Sequence, residues 1–415
     1  MKISSSPSTT PTFSPAARSP RSEETTASPD QLTLGEESKA PKKWTVLLWS
    51  ASENNLYEYM QADIDEAERV GSTPQMNVLV ETDHGSEWFG RVKRYELQPD
   101  DEKGINSPVK ARLGKADMAD PARLADFIQW GMKNYPAENY ALIISDHGAG
   151  WQGACHDEGS DSWMTLPEIE AGLKQAREKT GRKLDVVGFD ACLMASAEVA
   201  HQLRNETSYL VGSQEVEGGA GWQYNRVLSK DMLSSADRQL RTRLDFTPQE
   251  FAANVVNMAA ANAGDLPTMT ALDTAKVGAV TDAVKNFGTA IEESGLSAAQ
   301  LRRAKNQTQS FYEFHDLSDF ARNVGNLVAK DSPLAQSAQA VRDAVKGAVV
   351  AEQHSAKYPN ANGLTVELNR QGNRAPAGAP GLTADANSRV DFGQYSDTAF
   401  DRDTNWSAAI DRING

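Results

Sequence analysis

Apolar and polar positions divide this chain into two textures. Residues 44–50, 76–82, 140–145, 184–190 and 209–213 are short apolar runs with polar flanks. Such runs suit strands buried on both faces of a parallel sheet. Between them, residues 57–70, 121–135, 166–179 and 193–203 carry helical spacing. Asp120 before Pro121 reads as an N-cap and first helical position. Thr165, followed by Pro167 and Glu168, opens the next helix, which ends on bases around Lys179. Residues 91–97 alternate, as an antiparallel strand at a sheet edge does. Strands alternating with helices predict a mostly parallel sheet with right-handed crossovers.

After residue 230 the pattern turns mainly helical, over 248–261, 275–294, 298–307 and 332–352. Two short strands interrupt it, 268–272 and 363–367. The expected organisation is an α/β core over 41–230 and a mainly helical region over 231–370 packed on it. A loop-rich segment follows over 371–415, with Ala-Pro and Ala-Gly pairs in 372–388. About half of residues 1–40 are Ser, Thr or Pro, a composition that cannot bury enough apolar surface to fold. That stretch reads as a disordered tail or linker. It also resembles a type III secretion leader.

The sequence has 415 residues, 57 acids and 42 bases, for a net charge of -15. This argues against general binding to nucleic acid or anionic membranes. No apolar run approaches the roughly 18 residues of a membrane span. No apolar segment follows Lys2, so no Sec signal peptide is expected. The expected location is outside the cell by a type III-like route, or otherwise the cytoplasm. With only Cys155 and Cys192, a disulfide framework is not expected.

Two of the apolar runs end on reactive residues. Residues 140–145 lead into Asp146-His147-Gly148, and 184–190 lead into Ala191-Cys192. In open α/β sheets, ligands bind at the carboxyl ends of strands. Cys192 can serve as nucleophile, helped by the N-terminus of a helix predicted to begin at Leu193. His147 can move the proton, and the N–H groups of Gly148 and Cys192 can hold an oxyanion. Each residue also has a plainer reading, as a buried small hydrophobe or a satisfied polar group. Competitors exist. Asp83-His84-Gly85 repeats the histidine triplet, and Cys155-His156 pairs a thiol with an imidazole, but in a Gly-rich loop without a preceding strand.

These segments together resemble the clostripain family of cysteine peptidases, of the caspase-like clan. Asp146-His147-Gly148-Ala149-Gly150-Trp151 resembles its histidine motif. Asp190-Ala191-Cys192-Leu193-Met194-Ala195 resembles its nucleophile motif. Residues 52–56, 63–66 with 70–72, 218–222, 316–320 and 362–364 resemble further family segments, so the likeness covers roughly 43–370. It implies a caspase-like α/β fold and cleavage of peptide bonds after Arg or Lys by a Cys192–His147 dyad. It favours His147 over His84. Asp190 would read the basic side chain, with Trp151, Ser213 and Glu215 as further substrate-binding residues. A carboxylate there could instead merely cap the following helix. Where some relatives carry a second pocket acid, this chain has Ala220, with Glu215 and Glu217 upstream as substitutes.

Many relatives cleave themselves between the histidine and the cysteine. From Gly148 to Leu173 this chain has no Lys or Arg, so an active single chain, or trimming near Arg18 or Arg21, is expected. The expected partners are protein or peptide substrates with basic residues, and the expected state is a monomer. The chemistry requires no cofactor. Calcium dependence occurs in some relatives, and the acidic loop from Asp157 and Glu158 to Asp161 is the candidate for it, without an EF-hand pattern. A reading from another class is a catalytically silent adaptor or secreted effector that binds a host protein.

Overall fold

The computed structural model describes residues 40–84, 92–229, 246–259, 264, 266–369 and 392–415. The expectations for residues 1–39 and 372–388 lie outside them. Nine strands among the described residues form one sheet. They are β1 (Lys42–Ser50), β2 (Met76–Thr82), β3 (Val92–Glu96), β4 (Val109–Gly114), β5 (Ala137–Ser145), β6 (Leu184–Asp190), β7 (Thr207–Gly212), β8 (Thr268–Asp273) and β9 (Val349–His354). Their spatial order is β9-β8-β7-β6-β5-β1-β2-β3-β4. The five central strands are parallel. Antiparallel pairs extend both edges.

Both faces of the sheet are covered, which explains the continuous apolar runs. In β1, Trp44, Val46 and Leu48 face one core while Leu47 and Trp49 face the other. Helix α1 (Tyr57–Glu68) packs Ile64 and Ala67 into the first. Helices α2 (Pro121–Asn134), α3 (Leu166–Thr180) and α4 (Ala197–Leu203) pack Leu124, Leu173 and Val199 into the second. The expected caps are present. Asp120 accepts the Ala122 N–H, and Thr165 and Glu168 form a capping box. The basic residues Lys174 to Lys179 lie within α3.

Four expectations need correction. The helix after Cys192 begins at Ala197, capped by Ser196, not at Leu193. Leu193 has φ +68, a left-handed conformation that no helix continues. The helix expected over 332–352 is Pro333–Ala348, and the β-branched Val349 and Val350 open β9 without a Gly or Pro between. Strand β4 was unforeseen because an edge strand, half-buried at alternate positions, carries little apolar signal. Residues 392–415, expected as loop, carry helices Ala399–Thr404 and Trp406–Asn414. Trp406 is fully buried there and stacks on Phe287. No helix among the described residues is long and apolar enough to cross a membrane.

Candidate active site

The strand register aligns three carboxyl ends, pairing Ser50 with Ser145 and Ser145 with Asp190. The loops after β1, β5 and β6 therefore leave the sheet side by side. In the first, Asn54 accepts the Leu56 N–H and donates to Asp146 Oδ1 at 2.7 Å and to the His156 carbonyl at 2.8 Å. Asp146, buried in the second, also accepts the His156 N–H. These bonds fix the backbone on both sides of His147. Its Nε2 lies 2.7 Å from Asn55 Oδ1.

The third loop carries Cys192 and is tied down along its length. Leu193 N–H bonds to the Glu215 carbonyl at 3.3 Å, and Ala195 N–H to the Ser213 carbonyl at 2.9 Å. Support also comes from far along the chain. Thr365 N–H donates to the Ala195 carbonyl, while the Gln214 side chain donates to Asp316 and accepts from Gly363 N–H. The histidine and cysteine loops approach closely at Gly148. A Cβ there would stand 2.6 Å from the Cys192 carbonyl oxygen, so no larger residue fits.

His147, Cys192 and Asp190 line one cavity of about 230 Å³ with Asp63 and Glu217. Among the described residues no Lys or Arg lines it. Asp190 stands at the end of β6. Its Oδ1 accepts the Trp222 N–H and its Oδ2 the Tyr224 hydroxyl, at 3.2 and 2.8 Å. Gly221, at φ +47, passes so close that a Cβ would meet the Asp190 carboxylate at 2.8 Å. The helix-capping alternative for Asp190 does not hold, because Ser196 caps α4. Both Glu217 carboxyl oxygens are buried, beside the Asp190 carboxyl and the Trp222 indole.

Burial sets the charge states. It pushes the Cys192 thiol up to about 11, with Glu215 and Asp190 adding to the rise. It pushes the His147 imidazole down to about 4, with His156 adding to the fall. The resting pair is therefore a neutral thiol and a neutral imidazole at pH 7. The helix N-terminus expected to favour a thiolate is not beside Cys192, since α4 starts five residues after it. Burial also holds Asp63, Asp190 and Glu217 above the usual carboxylate range; the Asp190 charge adds to the rise of Asp63 and Glu217, and the Glu66 charge to that of Asp63 and Asp190.

Three predicted substrate-binding residues stand elsewhere. Trp151 is buried, with its indole N–H on Glu367, and lines a separate cavity with Trp163 and Phe392. The Ser213 hydroxyl bonds Thr268 beneath the cysteine loop. Glu215 accepts the N–H of its neighbour Val216, and its carbonyl holds Leu193. Glu217, two residues further, reaches the cavity instead. The sequence singled out neither Asp63 nor Tyr224. Asp63 left a signal, an acid on the apolar stripe of α1 beside Met60, Ile64 and Ala67.

The competitors fall outside the cavity. His84 bonds Tyr95. Cys155 is fully enclosed in strand Ala154–Asp157, where no strand was expected. Both cysteines are free. Of the acidic loop, only Asp157 joins a cluster that could ligate a metal, with Glu53 and Asp83.

The model of the clostripain family matches residues 48–411. The chain belongs to the clostripain family. It is 25% identical over 237 residues to clostripain of Hathewaya histolytica, an alignment spanning 48% of this chain and 44% of that protein. The chain thus matches less than half the length of this relative. A secreted C11 cysteine protease of Bacteroides thetaiotaomicron, solved with an irreversible peptide inhibitor, superposes with TM-score 0.61 at 19% identity. The match covers 89% of this chain and 99% of that one. An inactive zymogen C11 protease of Parabacteroides distasonis gives 0.58 at 17% identity, covering 88% and 99%. At such identities the likeness establishes the fold, caspase-like with a mostly parallel central sheet flanked by helices.

Proposed function

We propose that this protein is a cysteine endopeptidase that cleaves after Arg or Lys. The observation that carries this reading is the shared cavity, which sets a thiol and an imidazole beside buried carboxyls and no cation. Cys192 Sγ attacks the scissile carbonyl carbon while His147 takes the thiol proton. The N–H groups of Gly148 and Cys192 hold the oxyanion. His147 then gives the proton to the leaving amine, and a water deprotonated by His147 hydrolyses the thioester. Asp190, with Glu217 and Asp63 nearby, pairs with the guanidinium or ammonium before the cleaved bond. Hydrolysis of fluorogenic peptides ending in Arg, Lys, Asp or Leu tests the reading. Turnover confined to Arg and Lys is expected, and equal turnover of Leu peptides would defeat the pocket assignment.

The charge states predict a particular acid limb. As pH falls, Asp63 and Glu217 take up protons before His147 does, because burial holds both carboxyls well above their usual range and holds the imidazole down at about 4. A cationic side chain loses part of its counter-charge first. KM for an Arg substrate should therefore rise with acidification while kcat holds, and kcat should fall only nearer pH 4. A kcat that falls in step with the rise in KM would contradict this order.

We also propose that a hard cation such as calcium is held by Glu53, Asp83 and Asp157. Their ligand atoms lie within 4.8 Å of one another. The residues fit, since Asp83 is fully buried and its Oδ2 has no hydrogen-bond partner. Bound there, a cation would neutralise three crowded carboxylates and tie the loop after β1 to that after β2. Calcium should raise the melting temperature and a chelator should remove the gain. No shift in wild type, or an equal shift in Asp83→Asn, would reject the site.

A further inference from the structure

We propose that Asn55 is a positioning residue that holds the His147 ring with its proton on Nε2 and its lone pair on Nδ1. This rests on the peptidase reading and adds a third member to the dyad. An amide oxygen only accepts hydrogen bonds. At 2.7 Å from Asn55 Oδ1, His147 Nε2 must therefore carry the hydrogen. The opposite nitrogen then keeps the lone pair that a general base needs.

The contact is built into the turn after β1. Asn54 fastens that turn to the histidine loop through Asp146 and the His156 carbonyl, and its Oδ1 receives Leu56 N–H across Asn55. Neighbouring asparagines thus divide the task, one fixing the backbone and the other reaching the ring. A neutral acceptor suits the chemistry. It serves Nε2–H in the imidazole and in the imidazolium alike, so the ring need not turn as the thiol proton arrives. A carboxylate would instead favour the charged ring before substrate binds. Asn55 itself is exposed, so replacing its side chain removes the acceptor without opening the core.

The test uses the full chain labelled with 15N-histidine. Long-range proton–nitrogen spectra near neutral pH report the His147 tautomer, with the signal assigned by loss in His147→Gln. Wild type should show the Nε2–H form. Asn55→Leu, which lacks any acceptor, should show a mixture, and Asn55→Asp, which keeps one, should retain Nε2–H. On an Arg peptide, Asn55→Leu should lower kcat by roughly ten-fold or more at little-changed KM. An Nδ1–H ring in wild type, an unaltered tautomer in Asn55→Leu, or an unchanged kcat would overturn the assignment. The expected tautomers in a protein that turns over no peptide would support the role of Asn55 and defeat the peptidase reading instead.

Discussion

Cys192→Ala should abolish peptide hydrolysis, with a loss of at least roughly three orders of magnitude in kcat and an unchanged fold. The substitution removes one sulfur from a cavity wall. The thiol makes a long hydrogen bond, 3.9 Å to the Glu217 carbonyl. The loop conformation depends instead on backbone bonds of Leu193 and Ala195, which alanine retains. Melting temperature should therefore move little while turnover disappears. The same variant should resist an Arg-directed electrophile that labels wild type. Residual turnover within ten-fold of wild type would reject Cys192 as nucleophile. Folded wild-type protein that neither cleaves nor labels would favour a scaffold that binds without reacting.

Asp190→Asn should cost roughly a hundred- to a thousand-fold in kcat/KM for Arg substrates. Asparagine keeps the volume and can still accept the Trp222 N–H, while the Tyr224 hydroxyl can turn to accept from the new amide. What is lost is the charge. In a buried pocket a guanidinium left without its counter-charge is expensive, whereas a neutral side chain barely registers the change. Selectivity should collapse from the Arg side, with hydrolysis of Leu peptides little altered. An unchanged Arg-to-Leu ratio, with the fold intact, would show that Asp190 does not read the substrate. In that event Glu217 would be the group to replace next, since its carboxyl stands in the same cavity beside Asp190.

The two reactive loops were legible because a parallel strand buried on both faces announces both itself and its end. His147 and Cys192 each follow such a run, and the register aligns their strands. The chain between Cys192 and α4 was not legible. A left-handed Leu193 leaves no signature in composition, and the residues that follow are as apolar as a helix would be. Nor could the sequence choose between Glu215 and Glu217. A loop without periodicity does not say which side chain points inward, and here the backbone of Glu215 is used to hold Leu193. Trp151 illustrates the reverse error. Its motif is adjacent to His147 in sequence, but the turn at Gly150 (φ +62) and Gly153 (φ +110) carries the indole into the core.

The brace behind the cysteine loop has a consequence for how the enzyme is born. Thr365 and Gly363 are synthesised long after Cys192, yet they bond to Ala195 and to Gln214. A ribosome-bound chain that has already extruded both reactive loops lacks the residues that hold one of them in place. Domains fold as units once their parts have emerged. The cysteine loop can therefore take its final shape only after residues 363–365, some 170 positions downstream of Cys192, have been made.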